Sequence, residues 1–474
     1  MFSKKKKFYI TTSIPYTNAK PHIGFALEII QADVQARYRR ILGQDVFFLT
    51  GTDEHGQKTF RAAESARKQP LDFANELSER YRELTKTLNI SNDDFIRTTD
   101  EKKHLPSVYK LWQEYKARGD IYKKKYKGFY CVGCEAFKTE KELVGKKCII
   151  HQKEAEIIEE ENYFFKLTRY LPKVKELITK DKIKIIPETK KNEILNMINQ
   201  GLDDVSFSRA KEKYWGWPVP EDNSQNLYVW QDALPNYISA LGYAENGPKF
   251  KKYWPADVHC IGKDIVKFHT IYWPAMLLSA GLELPKSIFI HGFINVAGQK
   301  MSKSLGNVID PFELVKKYGA DALRYYLLRE ILPTEDGDFT YEKFEARYNS
   351  DLAGGIGNLA ARVLGISKSA KTAILKPTKK TKEKIEETKK SYTSAIEKFK
   401  FNEALSAVWE LISYCDKYIN DEKLWETKKP EVINDLFFIL NEISNLLLPF
   451  LPETAEKIRK AVKFRKSEIL FPRI

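Results

Sequence analysis

The apolar positions of the chain form two kinds of pattern, short continuous runs and longer segments with three- or four-residue spacing. The runs Phe8–Ile14 (FYITTSI) and Val46–Thr50 (VFFLT) are rich in β-branched and aromatic residues, and they predict two buried strands. The longer spacing predicts helices over 22–38, 55–90 and 100–118. Because strand and helix alternate, the first part of the chain is predicted to form a parallel α/β sheet.

This alternation stops near Tyr122. The stretch 120–165 contains short segments, cysteine, glycine and charge, and it has no long helical period. Runs typical of buried strands resume later, at Leu227–Trp230 (LYVW), Val258–Ile261 (VHCI) and Ser287–Ile290 (SIFI). We therefore expect a sheet that is split in sequence, with residues 120–225 inserted into it.

After Pro333 the chain has helical spacing only. The spacing predicts helices within 341–366, 380–415 and 431–462. One apolar stripe within the last of these consists of Leu436, Leu440, Ile443 and Leu447. The lysine and glutamate run over 379–390 is typical of a solvated helix face or of a connector to it. The sequence therefore predicts a C-terminal α-helical bundle.

The composition narrows the class of protein. The 79 lysines and arginines exceed the 64 acidic residues, which gives a net charge of +15. This excess suggests a polyanionic partner, most simply nucleic acid, with a lysine-coated solvated surface as the alternative. No run of 18 apolar residues occurs, so a membrane-spanning helix is excluded, and the basic N-terminus lacks the apolar segment of a secretory signal. Five cysteines are too few for a disulfide framework, so we expect a cytoplasmic protein with no membrane partner.

Two short motifs have the chemistry of phosphate binding. His22-Ile23-Gly24 stands at a predicted helix start, where free N–H groups and the helix dipole favour anions, and Gly24 would let a flat base approach the backbone. Lys300-Met301-Ser302-Lys303-Ser304 lies between Gly298 and Gly306, and two lysines three residues apart on such a loop can close on a polyphosphate. Each motif alone is more often a plain helix cap or a solvated turn.

In this order around a split sheet, the two motifs resemble the HIGH and KMSKS signatures of the class I aminoacyl-tRNA synthetases. The segments ITTSIPYTNAKPHIG, FFLTGTDEHGQK, LYVWQDAL, IGKDIVKFH, WPAML, GQKMSKSLGNVIDP and YGADALRYYLLRE are similar to the methionyl-tRNA synthetase family, from residue 10 to about 365. The resemblance implies a methionine–tRNA ligase that forms methionyl-adenylate from methionine and ATP with Mg²⁺. The methionyl group is then transferred to the 3′ end of tRNA(Met).

The resemblance also implies site residues. The catalytic residues would be His22, Lys300 and Lys303. ATP would be bound by His22, Gly24, Gly262, Asp264, Lys300, Ser302 and Lys303. Methionine would be bound by Ile14, Tyr16, Asp53, Trp230, Ala233, Tyr237, Ile265 and His269, with Arg209 supporting the site. The physical character agrees, because a thioether on an apolar chain requires an aromatic pocket, and an α-ammonium requires a carboxylate.

The sequence departs from the HIGH pattern at Phe25, where the family usually has a second histidine. A phenylalanine cannot donate a hydrogen bond to phosphate, and a lost donor of this kind typically costs about 3–4 kcal/mol, or ~10²–10³ in rate. A catalytically impaired tRNA-binding paralogue therefore stays open as an alternative. Another class I synthetase of the Leu/Ile/Val/Cys group is a second alternative, although the insertion of about 100 residues is too short for the large editing domain of the Leu, Ile and Val enzymes.

The insertion contains Cys131-x2-Cys134-x13-Cys148-x2-His151. Two close pairs of thiol and imidazole ligands fit tetrahedral zinc, and four filled positions indicate a closed, structural site with one zinc per chain. Family resemblance strengthens this interpretation, because bacterial methionyl enzymes often have one such knuckle there. Cys260 and Cys415 lie in apolar segments and are expected in the core.

By the same resemblance, Asn358, Arg362 and Trp425 would bind the anticodon, with Trp425 stacking on a base. Asn358 and Arg362 are four residues apart and so share a helix face. The appended domain that dimerises some relatives has no counterpart in the sequence, so we expect a monomer. The expected organisation is a Rossmann-like catalytic domain in two halves, a zinc-bearing connective insertion, a KMSKS-bearing linking region and an α-helical anticodon-binding domain, over 1–119 and 226–295, 120–225, 296–345 and 346–474 respectively.

Overall fold

The structure is a computed structural model that describes residues 5–138, 140–150, 152–301, 306–367, 376–465 and 469–474. The chain divides into two compact units. The first consists of Met1–Pro21, Arg39–Thr85 and Ser91–His291, and the second of His22–Tyr38, Lys86–Ile90 and Gly292–Ile474. The described helices include none with both the length and the hydropathy of a membrane span.

The strands are β1 Lys7–Thr12, β2 Asp45–Thr52, β3 Asp94–Arg97, β4 Ile121–Cys131, β5 Ala136–Lys138, β6 Leu143–Val144, β7 Lys147–Cys148, β8 Glu156–Phe165, β9 Lys184–Ile186, β10 Val205–Ser206, β11 Ser208–Ala210, β12 Pro218–Val219, β13 Asp222–Leu227, β14 Val258–Gly262, β15 Ser287–His291, β16 Ile294–Val296, β17 Gln299–Lys300 and β18 Gly337–Phe339.

The α-helices are α1 Ile23–Ile41, α2 Gln57–Ser65, α3 Pro70–Thr87, α4 Leu105–Ala117, α5 Leu167–Thr179, α6 Glu188–Asn199, α7 Val229–Ala233, α8 Asn236–Ser239, α9 Pro248–Tyr253, α10 Trp273–Ala280, α11 Pro311–Tyr318, α12 Ala320–Arg329, α13 Tyr341–Arg347, α14 Asn358–Ser367, α15 Lys379–Glu397, α16 Phe401–Asp421, α17 Leu424–Thr427, α18 Pro430–Leu447 and α19 Pro452–Phe464. Two π-helical turns, Phe268–Tyr272 and Tyr348–Gly357, lead directly into α10 and α14.

The first unit is built on a parallel sheet whose described strands have the order β3-β2-β1-β14-β15-β9. Its strands read as nearly continuous apolar runs because helices cover both faces of such a sheet. Strands β1 and β14 are neighbours although Ile10 and Val258 lie far apart in sequence. The predicted split parallel sheet is therefore confirmed.

Three local expectations need correction. Leu227–Trp230 is not a strand of the sheet, because β13 ends at Leu227 in a small antiparallel sheet and α7 begins at Val229. The helical pattern over 55–90 divides into two helices, α2 and α3. The edge strands β3 and β9 were not predicted, and β9 comes from within the stretch 120–225.

That stretch also forms a four-stranded antiparallel sheet of described strands, with the order β10-β8-β4-β5. Cys131 ends β4, and the turn from Cys131 to Cys134 leads into β5. Cys148 ends the short strand β7. The sheet therefore presents its cysteines at strand ends, where a tight turn can bring sulfur atoms together.

The second unit is largely helical after β18. Its long helices each have one buried apolar face, and the predicted stripe of Leu436, Leu440, Ile443 and Leu447 is buried. Helix α15, which contains the lysine and glutamate run, buries Ile385 and Tyr392 and exposes most of its charged residues to solvent. The helical bundle and its solvated face are confirmed.

Candidate active site

The carboxyl ends of the central strands gather several predicted methionine-binding residues of the first unit. In doubly wound sheets, ligands bind beyond the strand ends where the strand order reverses, which here is between β1 and β14. Ile14 and Tyr16 follow β1, Asp53 follows β2, and Ile265 follows β14. The backbones after β1 and β2 are joined, because the Asp53 N–H donates to Pro15 O at 2.9 Å and the Thr17 N–H donates to Asp53 O at 2.9 Å.

Asp53 is a buried carboxyl group with unused hydrogen-bonding capacity. Its side chain lies in a residue that is 2% exposed, and its Oδ1 has no partner among the residues that the structure describes. Burial, with the negative charges of Asp232 and Glu135, raises the pKa of Asp53 well above its ordinary value. When it is ionised, a buried carboxylate of this kind is stabilised by a cation, and an α-ammonium group is one.

Two aromatic residues form the apolar wall of the same site. The rings of Trp230 and Phe268 are stacked, with centroids 3.8 Å apart and planes 6° apart, and the ring of Tyr16 meets Trp230 edge-on at 6.3 Å. The Tyr16 hydroxyl and Trp230 Nε1 are also buried without a hydrogen-bond partner among the described residues. Unpartnered polar atoms are costly, so three of them in one apolar cluster are typical of a ligand site.

Tyr237 and His269 form a hydrogen-bonded pair beside that wall. His269 Nδ1 lies 3.0 Å from Ile265 O, which can only accept, so Nδ1 has the proton. In the neutral ring Nε2 is then the acceptor, and the Tyr237 hydroxyl donates to it at 2.7 Å. Both side chains are thereby fixed in orientation. Ala233, at the end of α7, is also buried, while Ile14 and Ile265 are half-buried.

Gly262 and Asp264, the predicted ribose-binding residues, stand at the end of β14. A Cβ atom at Gly262 would lie 2.9 Å from Asp264 Oδ1, so glycine leaves that carboxylate room. Asp264 is exposed, as a group that binds a sugar hydroxyl requires. Arg209 lies in β11 of the first unit, buried, with its guanidinium over the rings of Tyr130, Phe137 and Tyr228.

His22 and Gly24 lie in the second unit, at the start of α1. The Gly24 N–H donates to His22 Nδ1 at 3.0 Å, so in the neutral imidazole the proton is on Nε2. A Cβ atom at Gly24 would lie 3.5 Å from Met301 Cε, and the Ile23 N–H donates to Ile309 O at 3.2 Å. The structure thus brings the two signature motifs together within this unit.

Phe25 and the lysines of the second motif have different surroundings. Phe25 is 7% exposed, so its ring is part of the core. Lys300 is exposed and its Nζ lies 5.1 Å from the centroid of Phe293. Ser302 and Lys303 lie outside the described residues.

Three of the four predicted metal ligands converge. The sulfur atoms of Cys131, Cys134 and Cys148 all lie within 4.8 Å of one another, and those of Cys134 and Cys148 are 3.6 Å apart. Sulfur atoms bound to one tetrahedral zinc at about 2.3 Å would be roughly 3.8 Å apart, so this set fits zinc. His151, the predicted fourth ligand, lies outside the described residues. Cys260 and Cys415 are buried, as expected.

The predicted anticodon residues lie on the helices of the second unit. Asn358 begins α14 and is exposed, and Arg362 follows one turn later. Arg362 Nη1 donates to Asp416 Oδ1 at 2.6 Å and Nη2 donates to Asn420 Oδ1 at 2.8 Å, near the end of α16. Trp425, in α17, is 52% exposed, which suits a stacking surface better than a core residue.

Sequence reasoning missed a buried network beside the methionine-binding residues. His55 Nδ1 lies 2.7 Å from Asp232 Oδ2, and His104 Nε2 lies 2.9 Å from Asp232 O. Burial by itself would raise the pKa of Asp232, but the charges and hydrogen bonds of His55 and His104 hold it below its ordinary value. The motif DEH contains His55, but Asp232 lies 177 residues from His55 and 128 from His104, so the spacing of residues in the sequence did not indicate this network.

Comparisons with known proteins show the family of this chain. The family model described as tRNA synthetases class I (M) matches residues 8–146 and 138–364, and that of the anticodon-binding domain of tRNA ligase matches 379–472. The chain belongs to the class I (M) tRNA synthetase family.

Curated proteins similar to this chain are named as ligases for methionine. The methionine–tRNA ligase of Thermotoga maritima is 45% identical over 97% of this chain and 76% of its own length. That of Brucella suis is 41% identical over 96% of this chain and 91% of its own length. Among solved structures, Mycobacterium tuberculosis methionyl-tRNA synthetase in complex with methionyl-adenylate is 36% identical, with a TM-score of 0.93 over 99% of this chain and 100% of that one.

Proposed function

We propose that this chain is a methionine–tRNA ligase. It activates methionine with ATP to methionyl-adenylate, releases pyrophosphate, and transfers the methionyl group to the 3′ end of tRNA(Met). The observation that carries the proposal is the cluster of unpartnered polar atoms on Tyr16, Asp53 and Trp230 in an apolar site. The methionine-specific relatives favour it over the Leu/Ile/Val/Cys group of class I enzymes.

The methionine pocket consists of Ile14, Tyr16, Asp53, Trp230, Ala233, Tyr237, Ile265 and His269. Asp53 binds the α-ammonium group, because its buried Oδ1 has no hydrogen-bond partner among the described residues. The thioether lies against the stacked Trp230 and Phe268, where sulfur gains from aromatic contact. The pair of Tyr237 and His269 presents a fixed polar edge to the sulfur. An amino acid with a strongly polar side chain would lose its hydration in this pocket and would not gain equivalent hydrogen bonds.

The ATP residues supply charge and position. His22 Nε2–H donates a hydrogen bond to a phosphate oxygen at the start of α1, with Gly24 leaving space for the base. Lys300, Ser302 and Lys303 bind the phosphates, and Gly262 and Asp264 bind the ribose. The methionine carboxylate attacks the α-phosphorus, and the bond to pyrophosphate breaks. Catalysis is then mostly alignment and stabilisation of negative charge. Magnesium bound to ATP would neutralise part of the phosphate charge.

Zinc would be held by Cys131, Cys134, Cys148 and His151, at about one per chain. A site with four protein ligands has no open position for chemistry, so the metal would stabilise the fold of its segment. Elemental analysis of gently purified protein should detect it, and Cys134→Ser should lower the metal content and the melting temperature of the segment. Protein without metal in that analysis would contradict the assignment.

The helices of the second unit bind the anticodon. Trp425 stacks on a base, and Asn358 and Arg362 bind base edges. The net charge of +15 favours the tRNA backbone. We also propose that the protein works as a monomer in the cytoplasm.

ATP–pyrophosphate exchange with each amino acid tests the function. Methionine should support exchange, and leucine, isoleucine, valine and cysteine should not. Lys303→Ala should lower the rate by about 10²-fold or more, because a positive charge is lost as pyrophosphate leaves. Exchange that depends on another amino acid would select a different class I enzyme, and absence of exchange would favour the impaired paralogue.

A further inference from the structure

Glu135 is the residue directly after Cys134, and it is placed unusually for a glutamate. It is fully buried, and its backbone φ is 50°, in the left-handed region that few residues other than glycine adopt. A buried carboxylate and a left-handed backbone are both unfavourable, and such features persist where the surrounding structure requires them.

One carboxylate oxygen of Glu135 caps a helix that is remote in sequence. Glu135 Oε1 accepts a hydrogen bond from the Lys58 N–H, at the first turn of α2. Residue 56, which precedes α2, is a glycine and provides no side-chain cap. A Cβ atom at Gly56 would lie 3.0 Å from Glu135 Oε1, so glycine admits the carboxylate. The free N–H groups of a helix start need such an acceptor, and α2 follows Asp53 by only a few residues.

The same residue also contacts the other wall of the pocket. The Glu135 backbone carbonyl accepts a hydrogen bond from the Tyr228 hydroxyl. Tyr228 is the residue immediately before α7, which contains Trp230 and Ala233. The second carboxylate oxygen, Oε2, accepts from the Tyr130 hydroxyl at 2.6 Å, which fixes the side chain. Glu135 is thereby bonded to the segments that position Asp53 and Trp230.

We propose that Glu135 is a positioning residue that joins the cysteine turn to both walls of the methionine pocket. It sets the pocket through the Lys58 N–H and the Tyr228 hydroxyl. Loss of these bonds lets the Asp53 segment and α7 move apart, which weakens methionine binding. The inference rests on the proposed methionine–tRNA ligase function.

The test measures methionine binding without ATP by tryptophan fluorescence, together with metal content and melting temperature. Glu135→Ala should raise the methionine Kd about tenfold or more, because the acceptor of the Lys58 N–H is lost from a buried helix start. Glu135→Gln retains an amide oxygen for the Lys58 N–H, so its Kd should stay within about twofold of wild type. Tyr228→Phe removes one hydroxyl and should raise the Kd about threefold. Glu154→Ala, at an exposed glutamate of the same stretch, is the matched control and should bind as wild type does.

The readouts separate positioning from folding. In exchange assays the KM for methionine should rise in Glu135→Ala and Tyr228→Phe, while the KM for ATP is unchanged. If Glu135→Ala loses metal or unfolds, Tyr228→Phe decides, since it leaves the cysteine turn intact. Wild-type affinity in Tyr228→Phe, or in metal-retaining Glu135→Ala, would overturn the positioning role. Wild-type protein that binds no methionine would instead refute the proposed function.

Discussion

The proposed methionine pocket and the proposed anticodon surface (Asn358, Arg362 and Trp425) differ in whether their polar groups have hydrogen-bond partners. In the pocket, Asp53 Oδ1 and Trp230 Nε1 are buried and have no partner among the described residues. On the anticodon surface, the Arg362 guanidinium is bound by Asp416 and Asn420, and the Trp425 ring is half-exposed.

This difference follows from the two ligands. A small ligand in an enclosed pocket loses its whole hydration shell on binding. The protein therefore gains most binding free energy when its polar groups are unpaired beforehand and point at the ligand. A nucleic acid surface stays wet, and its protein groups exchange one partner for another on binding. Removal of a group should therefore cost more in the pocket than on the anticodon surface.

The largest effect is expected for Asp53→Ala. It removes the partner of the substrate ammonium group from a buried site, a loss of about 2–4 kcal/mol, or roughly 30- to 1000-fold in kcat/KM for methionine in exchange. Asp203→Ala, at an exposed aspartate of the same unit, is the control and should behave as wild type. Unchanged methionine kinetics in Asp53→Ala would remove Asp53 from the pocket.

Trp425→Ala should have the next largest effect, and only when tRNA is present. Loss of one base–aromatic stack costs about 1–3 kcal/mol, or roughly 5- to 150-fold in charging efficiency. Exchange should be unchanged. Phe464→Ala, at another exposed aromatic residue of the helical unit, should alter neither assay. Equal losses in charging and exchange, with a lower melting temperature, would identify Trp425 as a structural residue.

Arg362→Ala should lower charging efficiency less than the loss of a guanidinium without protein partners would. Because Asp416 and Asn420 already bind the guanidinium, reading a base exchanges hydrogen bonds, and the net loss is about 0.5–1.5 kcal/mol, or roughly 2- to 12-fold in charging. Arg459→Ala is the matched control, since Arg459 is similarly bound by Asn445 and Glu456. A loss above a hundredfold for Arg362→Ala would show that the contrast between the two regions is wrong.

The smallest effect is on the free energy of unfolding. Replacing Asp53 by asparagine should make the protein more stable, although loss of the carboxylate impairs methionine activation. Burial raises the pKa of Asp53 in the folded protein, so the native state binds its proton more tightly than the unfolded chain does. Wild-type stability relative to Asp53→Asn should therefore fall as pH rises from about 4 through that raised pKa. At pH 7 the asparagine variant should be more stable by about 1 kcal/mol, measured by thermal unfolding. A less stable variant at pH 7 would mean that the carboxylate has a partner.

Strand periodicity predicted the centre of the sheet and failed at its edges. Strands β1, β14 and β15 have continuous apolar runs because they are buried on both faces, and they were found. Strands β3 (DFIR) and β9 (KII) have only two consecutive apolar residues each, next to charged residues, so they do not form a recognisable apolar run. The segment LYVW has the composition of a strand, but tertiary contacts make its second half helical.

The site was predictable where a motif is local. His22, Gly24 and the three described cysteines follow from spacing, and the structure brings each set together. The Glu135 contact with Lys58 joins residues 77 positions apart, and neither residue belongs to a signature that implies it. The burial of Phe25 was also not predicted. From the sequence, a phenylalanine in place of the second histidine indicates only the loss of a hydrogen-bond donor, and its position in the core is known from the structure alone.

Strand β1 cannot pair with β14 until the long segment between them has been synthesised. Thr11 and His259, on these neighbouring strands, are 248 residues apart. At roughly 5–20 residues per second, a ribosome needs about 12–50 s to make the chain between them. During that interval β1 can pair with β2 but keeps its other edge open. The nascent first half therefore exposes an apolar, unpaired strand edge, which is the kind of surface that chaperones bind and that aggregates at high expression.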